Sequence, residues 1–285
     1  MGTREGWQLP ATEALRVGPD TDVDGLDTTA TPGFVGGKSV GERLLEERGA
    51  VLSDLQEKLF ANARARDEQR SVLLVLQGMD TAGKGGVVRH VIGHVDPQGV
   101  DHASFGVPTP EEKRHHYLWR IRKALPRKGQ LGVFDRSHYE DVLVVRVHDL
   151  VPRSEWEARY DEINAFEHEL VESGTTLVKV AMFVSPDEQK ARLAERLERR
   201  DKHWKYNPGD ITEREFWPQY KEAYQAMLDR TSTPHAPWHV VPADRKWYSR
   251  LAVTELLIGA LQRLDLDWPA ANFDVEAEKR RLAGS

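Results

Sequence analysis

The chain has 285 residues, 39% hydrophobic and 30% charged, with 40 Lys or Arg against 46 Asp or Glu and a formal net charge of −6. That length suits one large α/β domain with elaborations, and the absence of cysteine excludes disulfides and thiolate metal sites. No apolar run of about 18 residues and no cleavable leader is visible, so a cytoplasmic protein without a membrane partner is expected.

Residues 1 to 40 are rich in Gly, Thr, Asp and Pro without a clear period, and read as an extended arm lying over the domain or over a neighbouring subunit. Leu44, Leu45, Leu52, Leu55, Leu59 and Phe60 then mark an amphipathic helix running toward Arg70. Arm and helix form one unit over 1–66, ahead of a main domain over 67–268 and a charged tail over 269–285.

Ser71 to Gln77 is an apolar run of strand length, and Val87, Val88, Val91 and Ile92 give the segment that follows a helical stripe. Between them stands Gly78-Met79-Asp80-Thr81-Ala82-Gly83-Lys84-Gly85-Gly86, a glycine-rich turn in the strand–turn–helix context that a phosphate-binding loop requires. Backbone N–H groups of such a turn meet phosphate oxygens, and Lys84 adds a mobile positive charge. The usual Ser or Thr after the lysine, which ligates Mg²⁺, is replaced by Gly85. Asp80, within the loop, is the natural substitute, because a carboxylate beside bound phosphate is unfavourable unless a divalent ion screens the two.

Ala103 to Val107 reads as a short second strand, and Thr109-Pro110-Glu111-Glu112 as a capping box opening a helix that buries Leu118, Ile121 and Leu125 and turns its basic residues elsewhere. Leu131 to Asp135 is an apolar strand ending in a carboxylate. A carboxylate beside the phosphate-loop strand can hold Mg²⁺ against bound phosphates, and the adjacent Arg136 can contact a transferring phosphoryl group. Thr176 to Val184 is a further strand, leading into a second capping box at Ser185-Pro186-Asp187-Glu188. On the helix it opens, Arg192 and Arg196 share a face, and the basic stretch from Arg199 to Gly209 fits a lid, about 196–212, that closes over phosphates. Trp238 to Val241 makes a fifth strand, and Leu251, Leu256, Leu257, Leu261 and Leu264 mark a last long helix. Strands alternating with helices predict a three-layer α/β fold, a five-stranded parallel sheet with helices on both faces and a basic helical lid.

Charge is unevenly spread. Residues 111–129 hold seven Lys or Arg against two Glu, and residues 189–205 hold seven against three acids. Two basic segments in an acidic chain point to a local polyanion site rather than general nucleic-acid affinity.

Several ordered motifs together resemble the polyphosphate kinase 2 family: the loop at 78–86, Leu118-Trp119-Arg120, Phe134-Asp135-Arg136-Ser137-His138-Tyr139-Glu140, Lys202-His203-Trp204-Lys205 and Pro242-Ala243-Asp244-Arg245-Lys246-Trp247. The resemblance implies a thymidylate-kinase-like P-loop sheet, Mg²⁺-dependent phosphoryl transfer (with Mn²⁺ as the alternative ion) between inorganic polyphosphate and nucleotides, and a homodimer or homotetramer. By that likeness Asp80 and Asp135 handle the metal, Lys84 and Arg136 the phosphates, and Arg192 and Arg196 the contacts from the lid. Gly78, Thr81, Ala82, Gly83, Gly85 and Gly86 form the phosphate cradle, and Arg89, Lys113, Arg120, Arg122, Lys202 and Lys205 are candidates for a polyphosphate track. An acid at Glu140 resembles the subgroup that accepts nucleoside monophosphates as well as diphosphates, whereas Gly85 stands where that subgroup often carries Asp. Two rival readings share these features: an NTP-dependent monophosphate kinase, and a non-catalytic nucleotide- or RNA-binding module.

Overall fold

The computed structural model describes residues 5–285. In chain order its strands are β1 (Gly6–Trp7), β2 (Phe34–Val35), β3 (Ser71–Gly78), β4 (Val100–Ser104), β5 (Leu131–Asp135), β6 (Thr175–Phe183) and β7 (Trp238–Pro242). Its helices are α1 (Ala11–Ala14), α2 (Lys38–Arg66), α3 (Lys84–His90), α4 (Leu118–Lys123), α5 (Val144–Val147), α6 (Arg153–Glu172), α7 (Pro186–Glu198), α8 (Gly209–Glu213), α9 (Trp217–Thr231), α10 (Lys246–Gln262) and α11 (Val275–Ala283).

All eight residues of β3 are buried, which a strand achieves only with layers on both faces. β3 is the centre of a parallel sheet in the order β4-β5-β3-β6-β7, the five-stranded arrangement expected from strand–helix alternation. Successive β3 side chains point to opposite sides: Val72, Leu74 and Leu76 join one core, Leu73 and Val75 the other. The first core is completed by α2, α3 and α10 through Leu52, Leu59, Val87, Leu251 and Leu257. Each fully buried leucine stabilises the fold by roughly 2 kcal/mol. Gly41 lets α2 approach α10, since a Cβ there would overlap the Trp247 ring. The second core is filled by α4, α6 and α9 with Ile121, Tyr160, Phe166 and Met227.

The arm lies over its own domain. β1 pairs antiparallel with β2, Val17 N–H donates to Trp238 O at 2.9 Å, and Val240 N–H donates to Leu15 O at 2.8 Å. These bonds cover the outer edge of β7, which would otherwise expose unpaired backbone groups. The helix before β3 packs through Leu45, Leu52 and Leu59 into the main core, so the boundary expected at residue 66 falls at the end of an integral helix. At the other end, α11 buries no residue.

Three local expectations need correction. β4 starts at Val100 and not at Ala103, because its register with β5 runs from Val100↔Leu131 to Ser104↔Asp135 and ends where β5 ends. Thr109 and Glu112 do form a reciprocal capping box, with bonds of 2.7 and 3.3 Å, but it caps only a short 3-10 turn. His115 then turns extended, its ring stacked on Trp119, and α4 begins at Leu118. The basic residues of α4 do not all face outward either: Arg120 is buried. Among the described residues no helix is long and apolar enough to cross a membrane.

Candidate active site

The carboxyl ends of β3, β5 and β4 lie side by side, and the loops leaving them form the site. After β3 the chain must turn tightly against β6. Gly78 is required there, since a Cβ would lie 2.7 Å from Met182 O. Thr81 and Gly83 take positive φ values of 64° and 111°, and Gly83 O accepts the N–H of Gly86 at 2.8 Å as α3 begins. Lys84 folds back over the turn, its Nζ donating to Gly78 O at 2.5 Å and to Met79 O at 3.4 Å. Burial pushes its pKa down and Arg136 adds to that, while Asp80, Asp135 and Glu140 oppose the shift. Ala82 is buried in the first core beneath the loop. At Gly85 a Cβ would meet nothing within 4 Å, so the usual hydroxyl residue is missing for no steric reason.

Arg136 follows β5 in the left-handed region at φ 65°, its N–H bonded to Leu76 O at 3.1 Å. This geometry turns its guanidinium across to Asp80, with Nη2 3.0 Å from Oδ1. Burial disfavours its charge, but Glu140, Asp80 and Asp135 together hold its pKa above the ordinary arginine value. The Asp135 carboxylate, by contrast, has no hydrogen-bonding or ion-pair partner among the described residues.

Two cavities open here. One, of about 360 Å³, is lined by Asp80, Thr81, Gly83, Lys84, Gly85, Gly86, Asp135, Arg136, Arg196 and Lys205, with Ser104–Gly106 as a wall. The other, of about 300 Å³, holds Glu140, Leu143, Val144, Trp217, Tyr220 and Tyr224. Asp80 and Arg136 line both. Burial raises the pKa of Glu140, with Arg136 and Lys84 pulling it back.

The lid consists of the end of α7, a 3-10 turn over Arg200–Lys205, and α8. Arg196 Nη1 donates to Lys205 O at 3.1 Å and to Asp210 Oδ2 at 3.2 Å, tying α7 to α8. Glu213 on α8 accepts from Tyr220 at 2.9 Å and meets His148 at 3.0 Å, which fastens the lid to the body.

Arg192 occupies a different place from the one expected. Its Nε bonds Glu188 at 2.8 Å, Nη1 reaches Thr81 O at 2.8 Å, and Nη2 reaches Ala243 O at 2.6 Å and Asp244 O at 3.1 Å. It is buried with its donors engaged, so it clamps the loop's main chain from outside. Gln189, which sequence reasoning missed, joins it by donating to Asp80 O at 3.0 Å, and its spacing one turn before Arg192 was the available signal. Within the track candidates, Lys205 reaches the first cavity. Arg120 instead holds Gly106 O at 2.8 Å and supports the cavity wall. Arg122 pairs bidentately with Glu169 at 2.8 and 2.7 Å and lines neither cavity. Arg89 and Lys113 are exposed, and Lys202 is half-buried beside Asp201 in the lid.

A second missed feature surrounds Tyr139, three residues after Arg136. Lys179 Nζ donates to Glu167 at 2.6 Å, Tyr139 OH at 2.9 Å and Thr231 O at 2.7 Å, and Tyr139 OH donates to Glu167 at 2.7 Å. All of these side chains are fully buried. Burial opposes the charge on Glu167, but Lys179 and His138 outweigh it and lower its pKa. The network anchors Tyr139, and with it the turn that carries Arg136 and Glu140.

Among the described residues no cluster of three or more His, Asp or Glu side chains forms a ready metal cage. Asp80 and Asp135 nevertheless fit a hard divalent cation that takes its remaining ligands from phosphate oxygens and water. Asp135 makes no hydrogen bond or close ion pair, and Asp80 accepts a single Arg136 contact. The arrangement can therefore bind a polyanion in one chamber and a smaller, partly apolar molecule in the next, with cations where they meet.

The chain was compared with known proteins. Residues 42–267 match the family model described as polyphosphate kinase 2. A 256-residue stretch is 45% identical to the AMP/ADP-polyphosphate phosphotransferase of Meiothermus ruber, covering 89% of this chain and 94% of that one. The ADP-polyphosphate phosphotransferase of Rhodopseudomonas palustris is 39% identical over 271 residues, covering 90% and 92%. The crystal structure of polyphosphate kinase 2 from Arthrobacter aurescens superposes with a TM-score of 0.95 at 52% identity, covering 98% of both chains.

Proposed function

Because the chain belongs to the polyphosphate kinase 2 family, we propose that it transfers phosphoryl groups reversibly between inorganic polyphosphate and nucleoside diphosphates, and also accepts nucleoside monophosphates. The observation that carries the assignment of chambers is that two differently lined cavities meet at Asp80 and Arg136. The cationic one, with Lys84, Arg196 and Lys205, suits the polyphosphate donor. The one with Trp217, Tyr220 and Tyr224 suits a nucleotide, whose base can lie against aromatic faces.

A terminal phosphate oxygen of the nucleotide attacks the end phosphorus of the chain. That new P–O bond forms as the bond to the next bridging oxygen breaks, and the shortened chain leaves with the electron pair. The ionised nucleotide oxygen carries no proton that must be removed, so positioning and charge neutralisation are the protein's tasks. Lys84 and Arg136 hold the transferred group between the chambers, while Arg192 and Gln189 keep the loop's main chain in shape. Mg²⁺, held by Asp80 and Asp135, would neutralise phosphate charge. Since one phosphoanhydride is exchanged for another, concentrations set the direction. Monophosphate acceptance rests on Glu140 in the nucleotide chamber and on the likeness to the Meiothermus ruber enzyme. Cytoplasmic residence and assembly from identical chains complete the proposal.

Purified protein given ADP, polyphosphate and Mg²⁺, with no nucleotide donor, should make ATP, and AMP should yield ADP under the same conditions. Asp135→Asn should fold normally and lose turnover. Absence of ATP would remove the polyphosphate reading in favour of an NTP-dependent kinase, and an unimpaired Asp135→Asn would favour a non-catalytic module. Initial rates with AMP, ADP, GMP and GDP then rank the acceptors.

A further inference from the structure

Arg250, on α10, differs from every other arginine among the described residues: its side chain is only partly exposed, yet its guanidinium makes no hydrogen bond and no ion pair. Its neighbours are mostly cations. Burial, opposed by Glu42 and aided by Arg192 and Arg89, lowers its pKa. A half-buried guanidinium facing one acid and two arginines, with no acceptor for its N–H groups, is unfavourable unless a bound anion supplies the acceptors.

The position of that anion follows from Gly86. The Nη2 and Nε atoms of Arg250 lie 3.7 and 3.9 Å from the point a Cβ of Gly86 would occupy, and Gly86 lines the phosphate cavity. With no side chain at Gly85 or Gly86, the way from Lys84 to Arg250 is bare backbone. Arg89, exposed and three residues beyond Gly86 on α3, stands on the same side.

We infer that Arg250, with Arg89 beside it, binds the phosphate groups of the donor that trail behind the reacting one, and so makes the enzyme sense polyphosphate chain length. The inference rests on the donor chamber assigned above. Phosphates at the reacting end sit under Lys84 and Arg136. Those further along pass over Gly85 and Gly86, where the planar guanidinium of Arg250 can pair with two phosphate oxygens. A triphosphate ends within the cavity, and a long chain reaches Arg250.

The test measures ADP phosphorylation with triphosphate and with long-chain polyphosphate as donors, in the natural protein, Arg250→Met and Arg250→Lys. Arg250→Met should raise KM for the long chain by about tenfold, the size of one charge-assisted contact, with kcat unchanged. KM for triphosphate should change less than about twofold, and Arg250→Lys should recover part of the loss. An equal change with both donors, or none with the long chain, overturns the inference. Arg89→Gln alters an exposed side chain and gives a second reading should Arg250→Met fold poorly: a rise in KM confined to the long chain supports the track, and a flat result counts against it. If the natural protein makes no ATP from long-chain polyphosphate, the donor reading itself fails, an outcome distinct from an unselective variant.

Discussion

Thr81 and Arg136 both hold left-handed backbone that non-glycine residues avoid, at a cost of about 1–3 kcal/mol each. The surroundings enforce it. Arg192 grips Thr81 O, and Leu76 O accepts the Arg136 N–H, so the two strained residues are pinned by the elements on either side. The result is a guanidinium aimed across the boundary between the chambers, already engaged with Asp80 before any substrate arrives. Arg136→Lys keeps the charge and loses the planar fork. It should lower kcat roughly a hundredfold with little change in Tm, checked by steady-state kinetics and a thermal melt. A kcat within about threefold of the natural value would remove Arg136 from the transfer step. At this scale the sequence marked residues that lie together: ten of the singled-out residues, Asp80 among them, line one cavity.

At the scale of elements, what could be read ahead of the structure was what local pattern encodes. The run 71–77 announced a doubly covered strand because no polar residue interrupts its apolar core, and Ser185 announced the start of α7, where its side chain accepts the Glu188 N–H at 3.1 Å. The Glu188–Arg192 pair, four residues apart, was equally legible. The other partners of Arg192 were not, since they are carbonyls 111, 51 and 52 residues away that no side-chain pattern marks. Lys179 interrupts an otherwise apolar strand, and its acceptors lie 12, 40 and 52 residues off in sequence. The second capping box was only half realised. Glu188 turns to Arg192, and Asp244 takes the Ser185 N–H at 2.8 Å in its place, joining α7 to the end of β7. α9 went unassigned although Ala223, Tyr224, Met227, Leu228 and Thr231 repeat at helical spacing, because the basic lid before it blurred the helix start.

Across the whole molecule, the arm is the element most exposed to changes of condition. His239 on β7 lies beneath it, bridged to Arg16, with its Nδ1 3.3 Å from Lys179 O. Burial lowers its pKa from the usual 6.5 to about 4, and the nearby charges of Arg16 and Arg263 add to the shift. Above the higher value both folded and unfolded chains carry a neutral imidazole and the residue contributes no pH dependence. Below it the unfolded chain takes up a proton that the folded one refuses. His239 should therefore remove up to about 3 kcal/mol of stability as pH falls from 6.5 toward 4, and no more below that. Urea midpoints compared at about pH 8 and about pH 4.5 should show a smaller drop in His239→Gln than in the natural protein, and equal drops would place the acid sensitivity elsewhere. The two chambers have a further consequence at this scale. Asp80 and Arg136 are the residues they share. With the donor and nucleotide seated as proposed, a finished nucleotide would depart past Tyr220 while the rest of the donor stays against Lys84. Consumption should then be processive, with individual polymers trimmed through successive rounds before others are touched. A gel sampled early would show untouched long material beside much shorter products, whereas a ladder creeping down in unison would mean that every round ends in release.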